Sequence, residues 1–181
     1  MMKWLPIDCW LGIKHLMVTL LLVFCLLPFK AQAQALDDSA RLYAAYTYNF
    51  ISFASWPQNQ GNKLTLCVAG QNRDSQLLSQ LHGKSVQGMV IEVVNYQANM
   101  MLEACQVLFV ASAEFADLFD RASQAQLLLI TNIMPDNGRS SMINLTTESG
   151  RVVFDVNLSM LKRSGLQLPP SLLKLARRVV L

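Results

Sequence analysis

The sequence has few of the residues from which enzymes build active sites. It contains two histidines, and only His82 follows the apolar N-terminal region. No G-x-G-x-x-G, G-x-S-x-G or Walker-type loop is present, so the common fingerprints of dinucleotide, hydrolase and nucleotide sites are missing. A His-rich metal site is excluded as well. We expect no catalytic residues, no metal and no cofactor, and we interpret His82 as a helix C-terminal residue rather than a base.

A second long apolar run is also missing, since the one such run lies at the N-terminus. Lys3 and Lys14 supply positive charge, the apolar stretch Leu16–Phe29 follows, and Ala31–Ala35 contains two overlapping A-x-A sites. This order is typical of a secretory signal peptide, and the stretch is short for a membrane span. We predict that residues 1–35 are a signal peptide cleaved after Ala33 or Ala35. The alternative is an uncleaved membrane anchor.

Excess charge of either sign is missing once the leader is set aside. The whole chain carries a net charge of +3, but residues 36–181 hold twelve basic and eleven acidic side chains. Nucleic-acid-binding domains need a basic stripe or a strongly positive field. We therefore predict no nucleic-acid partner, and we expect residues 36–181 to form one domain outside the cytoplasm with no transmembrane segment.

Cysteine is scarce, and its arrangement is informative. Of four cysteines in the chain, Cys67 and Cys105 lie beyond the leader, and no C-x-x-C motif is present. A pair of cysteines in an oxidising compartment favours one structural disulfide. Closing that loop would stabilise the domain by about 4 kcal/mol in the chain-entropy model. Two buried free cysteines are the alternative.

The hydrophobic periodicity alternates between helix and strand. Residues 40–54 predict a helix, with apolar or aromatic side chains at 42, 45, 46, 49/50 and 53, and Trp56-Pro57 ends it. This alternation predicts an α/β, Rossmann-like three-layer sandwich, mostly parallel with a C-terminal antiparallel hairpin. The remaining predicted elements are strands at Leu64–Ala69, Val86–Val94, Val107–Ala111 and Gln126–Thr131, hairpin strands at Met142–Leu145 and Arg151–Asn157, and helices at Ser75–Leu81, Glu114–Ala122, Leu158–Arg163 and Ser171–Val180. The total is six strands and five helices.

Two surfaces are candidates for binding a partner. The first is the aromatic opening helix, whose side chains are too widely spread to face inward together, which predicts exposed aromatic area. The second is a basic face formed at i, i+3 and i+4 of the predicted last helix. Burial of the aromatics under loops, and an ordinary solvated basic face, are the structural alternatives. The residues concerned are Tyr46, Tyr48, Phe50, Phe53 and Trp56 in the first surface, and Lys174, Arg177 and Arg178 in the second.

The same stretches resemble a known family. Residues 46–57 (YTYNFISFASWP) are similar to the opening signature of the YfiR/HmsC-like periplasmic proteins. Further blocks agree in the same order, and the resemblance covers residues 40–180. These blocks are LCVAG at 66–70, GKSVQG at 83–88, CQVLFV at 105–110, MINL at 142–145 and GRVVFDVN at 150–157.

The resemblance implies a periplasmic regulator that is not an enzyme. Such proteins repress a membrane-bound diguanylate cyclase by binding its periplasmic sensor domain, which lowers cyclic-di-GMP and biofilm formation. An outer-membrane lipoprotein sequesters the repressor, and family members form dimers. The resemblance also places Cys67 and Cys105 at positions where the family carries a disulfide. Ser140-Ser141 and Thr131-Asn132-Ile133 depart from the family pattern, so contacts made by that loop do not carry over.

A small-molecule-binding periplasmic module is the competing class. In a parallel α/β sheet, ligands bind at the carboxyl ends of the strands. The residues after Ala69 and Ala111 would line such a cleft.

Overall fold

The computed structural model describes residues 39–56, 61–134 and 141–181. The predicted signal peptide, Pro57, the first half of the predicted turn at 59–62 and the predicted turn at 136–138 lie outside these ranges. The described helices are α1 (39–53), α2 (Arg73–Leu78), α3 (Leu118–Ala122), α4 (Leu158–Arg163) and α5 (Pro170–Leu173). The strands are β1 (Lys63–Ala69), β2 (Ser85–Val86), β3 (Met89–Asn95), β4 (Val107–Val110), β5 (Leu128–Thr131), β6 (Ile143–Glu148), β7 (Arg151–Asn157) and β8 (Arg178–Val180).

The strands form one eight-stranded sheet in the order β2-β3-β1-β4-β5-β6-β7-β8. Neighbours from β3 to β6 run parallel, whereas β2–β3 and β6–β7 are antiparallel pairs. The α/β class, the mostly parallel sheet and the C-terminal hairpin predicted from the sequence are confirmed. The strand count is eight rather than six.

The middle of the sheet holds the core. Every residue of β4 and β5 is buried, which explains the apolar sequence VLFV of β4 and the apolar run Leu128–Ile130 in β5. The outer strand β7 instead alternates between buried and partly exposed residues, with Val152, Phe154 and Val156 facing inward. The apolar pattern of each strand therefore reports its place in the sheet.

Helix α1 connects distant parts of the sheet. In its first half, the Tyr43 hydroxyl lies 2.9 Å from the Thr147 hydroxyl of β6. In its second half, the Gln87 side-chain amide donates to the backbone oxygens of Ser52 and Ala54, at 2.7 and 2.9 Å. Because β6 and the β2–β3 turn lie far apart in the strand order, α1 runs across the sheet between its two outer regions.

Two predicted elements are wrong. The single strand at Val86–Val94 is a hairpin, because Gln87 and Gly88 take positive φ angles of 49° and 81° and reverse the chain between β2 and β3. The helix at Ser171–Val180 ends at Leu173. Residues Arg178–Val180 form β8 instead, which pairs in parallel with the open edge of β7.

Candidate functional site

The aromatic side chains of α1 divide between core and surface. Phe50 is fully buried, and its ring lies 5.0 Å from that of Phe154. Tyr46 is partly buried beside them, 6.2 Å from Phe50 and 5.6 Å from Phe154 between ring centroids. These contacts make Tyr46 and Phe50 part of the packing of α1 on β7.

Tyr48 and Trp56 are half-buried and hydrogen-bonded. The Tyr48 hydroxyl donates to the Ser85 carbonyl at 3.2 Å, and the Trp56 indole donates to the Ile51 carbonyl at 3.0 Å. Both polar groups thus have partners within the domain. Tyr48 therefore links α1 to β2 by a hydrogen bond, and Trp56 bonds back to a backbone carbonyl in the last turn of α1.

One aromatic side chain of the predicted set is clearly exposed, and it belongs to an apolar face. Phe53 is 55% exposed and Leu42 is 43% exposed. Ala45 and Asn49 are exposed between them, so the spacing 42-45-49-53 follows one side of the helix. We name these four residues the outer face of α1. The periodicity of residues 40–54 could have revealed it, but the same positions also suit an inward stripe.

The predicted basic helical face does not exist. Arg177 lies in a bend immediately before β8, and its guanidinium donates to both carboxylate oxygens of Asp155 and to Glu148. The bond from Arg177 Nε to Asp155 is 2.8 Å long. Lys174 and Arg178 are exposed, but they share no helix, because α5 ends at Leu173, Lys174 lies in the turn that follows it and Arg178 begins β8. Arg177 therefore binds the tail to the β6–β7 hairpin.

The disulfide is present, between Cys67 and Cys105, with α carbons 5.7 Å apart. Cys67 lies within β1 and Cys105 precedes β4, the strand beside it. Both residues are buried. The bond is a cross-link inside the core, shielded from solvent.

A pocket opens at the amino ends of β4 and β5. Its volume is about 430 Å³, and its inner wall consists of Leu102, Cys105, Leu127 and Leu166 with the Trp56 ring beside them. Glu103, Gln106, Gln124 and Gln126 add hydrogen-bonding groups. The Gln106 side chain is fixed, because its oxygen accepts from the Thr65 backbone N–H at 2.8 Å. A neighbouring cavity of about 690 Å³ shares the wall from Leu102 to Glu103.

The expected cleft at the carboxyl ends is largely filled. The strand order changes direction between β1 and β4, where ligands of open α/β sheets bind. Here the Asn72 side chain donates to the Ala111 carbonyl at 2.7 Å. Gly70 packs so tightly on Ser112 that a β carbon would not fit. A smaller cavity of about 240 Å³ lies nearby, beside Gln71 and Asn95.

His82, the candidate base of the described residues, has a structural role. His82 follows a 3₁₀ turn, and its Nδ1 accepts from the Val93 backbone N–H at 3.2 Å. Within the ranges described, no group of three or more His, Cys, Asp or Glu side chains could hold a metal ion. None of the described helices is both long and apolar enough to cross a membrane.

The fold and these features define a class: an α/β domain with a buried disulfide, a paired C-terminal strand and an exposed apolar helix face. The model of the YfiR/HmsC-like family matches residues 40–177. The chain therefore belongs to that family, as its sequence blocks predict.

A solved structure shows a more distant likeness. It is the ABC domain from Streptococcus pneumonia, crystallised in complex with L-Trp, at 9% sequence identity and a TM-score of 0.49. The match covers 78% of this chain and 60% of that one.

Proposed function

We propose that this protein acts in the periplasm as a repressor of an inner-membrane signalling protein, a diguanylate cyclase. It binds the periplasmic sensor domain of the cyclase and so lowers cyclic-di-GMP and biofilm formation. Membership of the YfiR/HmsC-like family supports this proposal, as does the leader-like sequence of residues 1–35. Release comes from an outer-membrane lipoprotein that competes for the repressor.

The observation that carries the proposal is the outer face of α1. Leu42 and Phe53 expose apolar surface on a helix whose opposite side is fixed by Phe50 in the core. Exposed apolar and aromatic residues on a rigid element are typical of protein interfaces. The face carries no charge at its four positions, so it suits an apolar groove or helix on the sensor domain.

Repression follows if the face binds the inactive state of the cyclase more tightly than the active state. A ligand shifts a conformational equilibrium only by its differential affinity for the two states. A tenfold shift needs about 1.4 kcal/mol of difference. Burial of one phenylalanine and one leucine side chain, each worth about 1.5–3 kcal/mol when complete, suffices for that difference.

The test replaces Leu42 and Phe53 together with serine in a strain that lacks the chromosomal gene. We expect wild-type protein to lower cyclic-di-GMP, and the L42S/F53S variant to leave it high at equal periplasmic abundance. Met101→Ser is the matched control, because Met101 is 74% exposed but lies outside α1. A leaderless chain should not complement. Repression by L42S/F53S equal to that by wild type would exclude α1 as the contact surface.

The pocket at the amino ends of β4 and β5 favours a second candidate, a small-molecule-binding sensory module. Its volume suits a small organic ligand, and its apolar wall with four polar side chains is typical of such sites. Thermal unfolding in the presence of small periplasmic metabolites tests it. A ligand that raises the midpoint for wild type, but not for Leu127→Trp in the pocket wall, supports this function. Unaltered cyclic-di-GMP in the deletion strain would favour it over repression.

A further inference from the structure

β8 leaves one edge of the described sheet open. It is the last strand in the sheet order, with β7 as its neighbour on one side. The Arg177 N–H donates to the Phe154 carbonyl of β7 at 2.8 Å. Because peptide groups alternate in direction along a strand, those of Val179 also face β7, and those of Arg178 and Val180 face outward. The outward groups can therefore pair with an additional strand.

The opposite edge of the sheet, at β2, is covered by α1. The Tyr48 hydroxyl donates to the Ser85 carbonyl of β2 at 3.2 Å. The Gln87 side-chain amide, in the turn that follows β2, donates to the backbone oxygens of Ser52 and Ala54. Covering an edge with a helix is a common device against pairing with other chains. The β2 edge is thus protected from an incoming strand.

Apolar side chains are exposed on and beside β8. Val179 is 38% exposed and Val180 is 44% exposed, and Leu175, in the turn before the strand, is 71% exposed. When a strand is added to a sheet edge, main-chain hydrogen bonds give affinity and contacts with alternate side chains give specificity. An occupant of this edge should therefore carry apolar side chains of its own.

Basic residues are concentrated in the C-terminal part of the chain. Residues 156–181 carry five basic side chains and no acidic one. Residues 36–155 carry seven basic and eleven acidic side chains, so that region is net negative. The helices α4 and α5 and the strand β8 all lie in the positive region. A partner attracted to this region should be acidic.

Several of these basic side chains lie near the β8 edge. α4 packs against β8, and its last turn carries Lys162 and Arg163, both exposed. Arg178 begins β8 and is exposed as well. Asp155 stands beside Arg178 in register, but both of its carboxylate oxygens accept from Arg177. The remaining charge at the edge is positive, which disfavours a like-charged strand such as a second β8 and favours an acidic one.

We propose that the β8 edge binds an extended acidic segment of a partner protein by strand addition. The segment pairs with the outward peptide groups of Arg178 and Val180. It carries acidic side chains on the face of Arg178 and apolar side chains on the face of Val179, because side chains alternate between the two faces of a strand. The β8 edge shares no residue with the outer face of α1, and the proposal does not depend on repression of a cyclase.

The open peptide groups favour a polypeptide over an anionic lipid surface. Phosphate oxygens accept hydrogen bonds but donate none, so they would leave the outward carbonyls of Arg178 and Val180 without donors. A strand supplies donors and acceptors together, at the spacing that β8 requires.

Binding of two short peptides with blocked termini tests the recognition of charge. One alternates valine with glutamate and the other alternates valine with lysine, and fluorescence anisotropy measures their binding to the exported protein. The glutamate peptide should bind about tenfold more tightly, because opposite charges across a strand pair attract and like charges repel. Arg178→Glu should remove most of this preference. Lys84→Glu, the same charge change beside the opposite edge of the sheet, is the control and should keep it. Equal binding of the two peptides, or binding of neither, would overturn the proposal.

A second set of variants tests strand addition itself. Val180→Pro removes an outward N–H and should abolish binding of the glutamate peptide, whereas Val180→Thr keeps that N–H and should retain binding. In the wild type, the peptide should slow hydrogen exchange at the Val180 amide and leave the Val179 amide, which already faces β7, unchanged. Circular dichroism and the unfolding midpoint check that both variants fold. Undiminished binding to Val180→Pro would overturn strand addition.

Two further outcomes would assign the edge to another occupant. Binding of the protein to phosphatidylglycerol vesicles, with no binding of either peptide, would indicate a lipid surface. Self-association that Val180→Pro abolishes and the glutamate peptide does not displace would indicate a second copy of the chain. Either result would overturn the proposal of an acidic partner segment.

Discussion

Gly70 and Ser112 close the crevice between β1 and β4. A β carbon on Gly70 would lie 2.5 Å from the Ser112 β carbon and 2.8 Å from the Ser112 backbone nitrogen. In open α/β sheets this crevice holds the ligand, because the strand order reverses there. In this protein the crevice is filled by a packing contact, and the pocket of about 430 Å³ lies at the opposite, amino ends of the strands.

Replacing Gly70 by alanine should therefore destabilise the domain strongly. Gly70 has a φ of +96°, and the added methyl would meet Ser112. We expect a loss of about 3 kcal/mol in the free energy of unfolding, from backbone strain and overpacking together. Gly83→Ala is the control, because Gly83 has a φ of +79° with nothing within 4 Å of the added carbon. Urea denaturation measures both, and equal losses would show that the contact with Ser112 costs nothing.

Removing the disulfide should lower stability without creating an exposed thiol. Cys67 and Cys105 are 38 residues apart in sequence and buried. The double variant Cys67→Ala/Cys105→Ala should lose about 4 kcal/mol by the chain-entropy account. Addition of reductant should lower the denaturation midpoint of the wild type and leave the double variant unchanged. A loss below about 1 kcal/mol would mean that the cross-link constrains the unfolded chain little.

Asp74 should make stability depend on pH in the acid range. Burial raises the pKa of its carboxyl above the ordinary value of 3.8, although the Asn132 hydrogen bond and the Arg73 charge oppose the shift. The folded state therefore holds this proton more tightly than the unfolded state. The contribution of Asp74 to stability must fall as pH rises from 3.8 through the higher folded pKa.

Asp74→Asn should remove that contribution. At neutral pH the variant should equal or exceed the wild type in stability, and this advantage should disappear below the unfolded pKa. Glu114→Gln removes the same charge from an exposed position and serves as control. Denaturation across the acid range measures the difference. A variant that is less stable than wild type at neutral pH would show that the ionised Asp74 is net stabilising.

Arg177 should be more sensitive to substitution than Arg178. The planar guanidinium group of Arg177 donates to both carboxylate oxygens of Asp155 and to Glu148, and the single ammonium group of lysine cannot reproduce that geometry. Arg177→Lys should cost about 1 kcal/mol and loosen β8 from β7. Arg178→Lys is the control, with an effect near zero. Hydrogen exchange of the Arg178–Val180 amides and urea denaturation would measure both effects, and equal behaviour would contradict a special role for Arg177.

The sequence predicted the elements whose pattern is set by burial. The unbroken apolar sequence Leu128–Ile130 identified a central strand, and the alternation in Arg151–Asn157 identified an outer one. The disulfide between Cys67 and Cys105 was predicted from the presence of two cysteines beyond the leader and from the oxidising compartment expected for the protein. These features depend on local pattern and on rules common to all α/β sheets.

The errors lie where distant chain segments decide the outcome. Arg177-Arg178-Val179-Val180 suited a helix by charge spacing, but β-branched residues favour extended backbone, and the open edge of β7 supplies hydrogen bonds. Gln87 takes positive φ without being glycine, so the turn before β3 gave a weak signal. Tyr46 and Phe50 were candidates for a binding surface, and both rings pack against Phe154, more than a hundred residues later, where Phe50 is fully buried and Tyr46 is partly buried.

The contacts of α1 constrain the order in which the domain can assemble. Tyr43 meets Thr147 and Tyr46 meets Val152, at sequence separations of 104 and 106 residues. A chain that emerges from a membrane pore with its N-terminus first presents α1 long before its partners in β6 and β7. Until they arrive, Phe50 and Tyr46 remain without their packing surface, and exposed apolar segments of this kind are prone to misassociation. In the export proposed above, α1 could therefore dock on the sheet only after the β6–β7 hairpin had emerged from the pore.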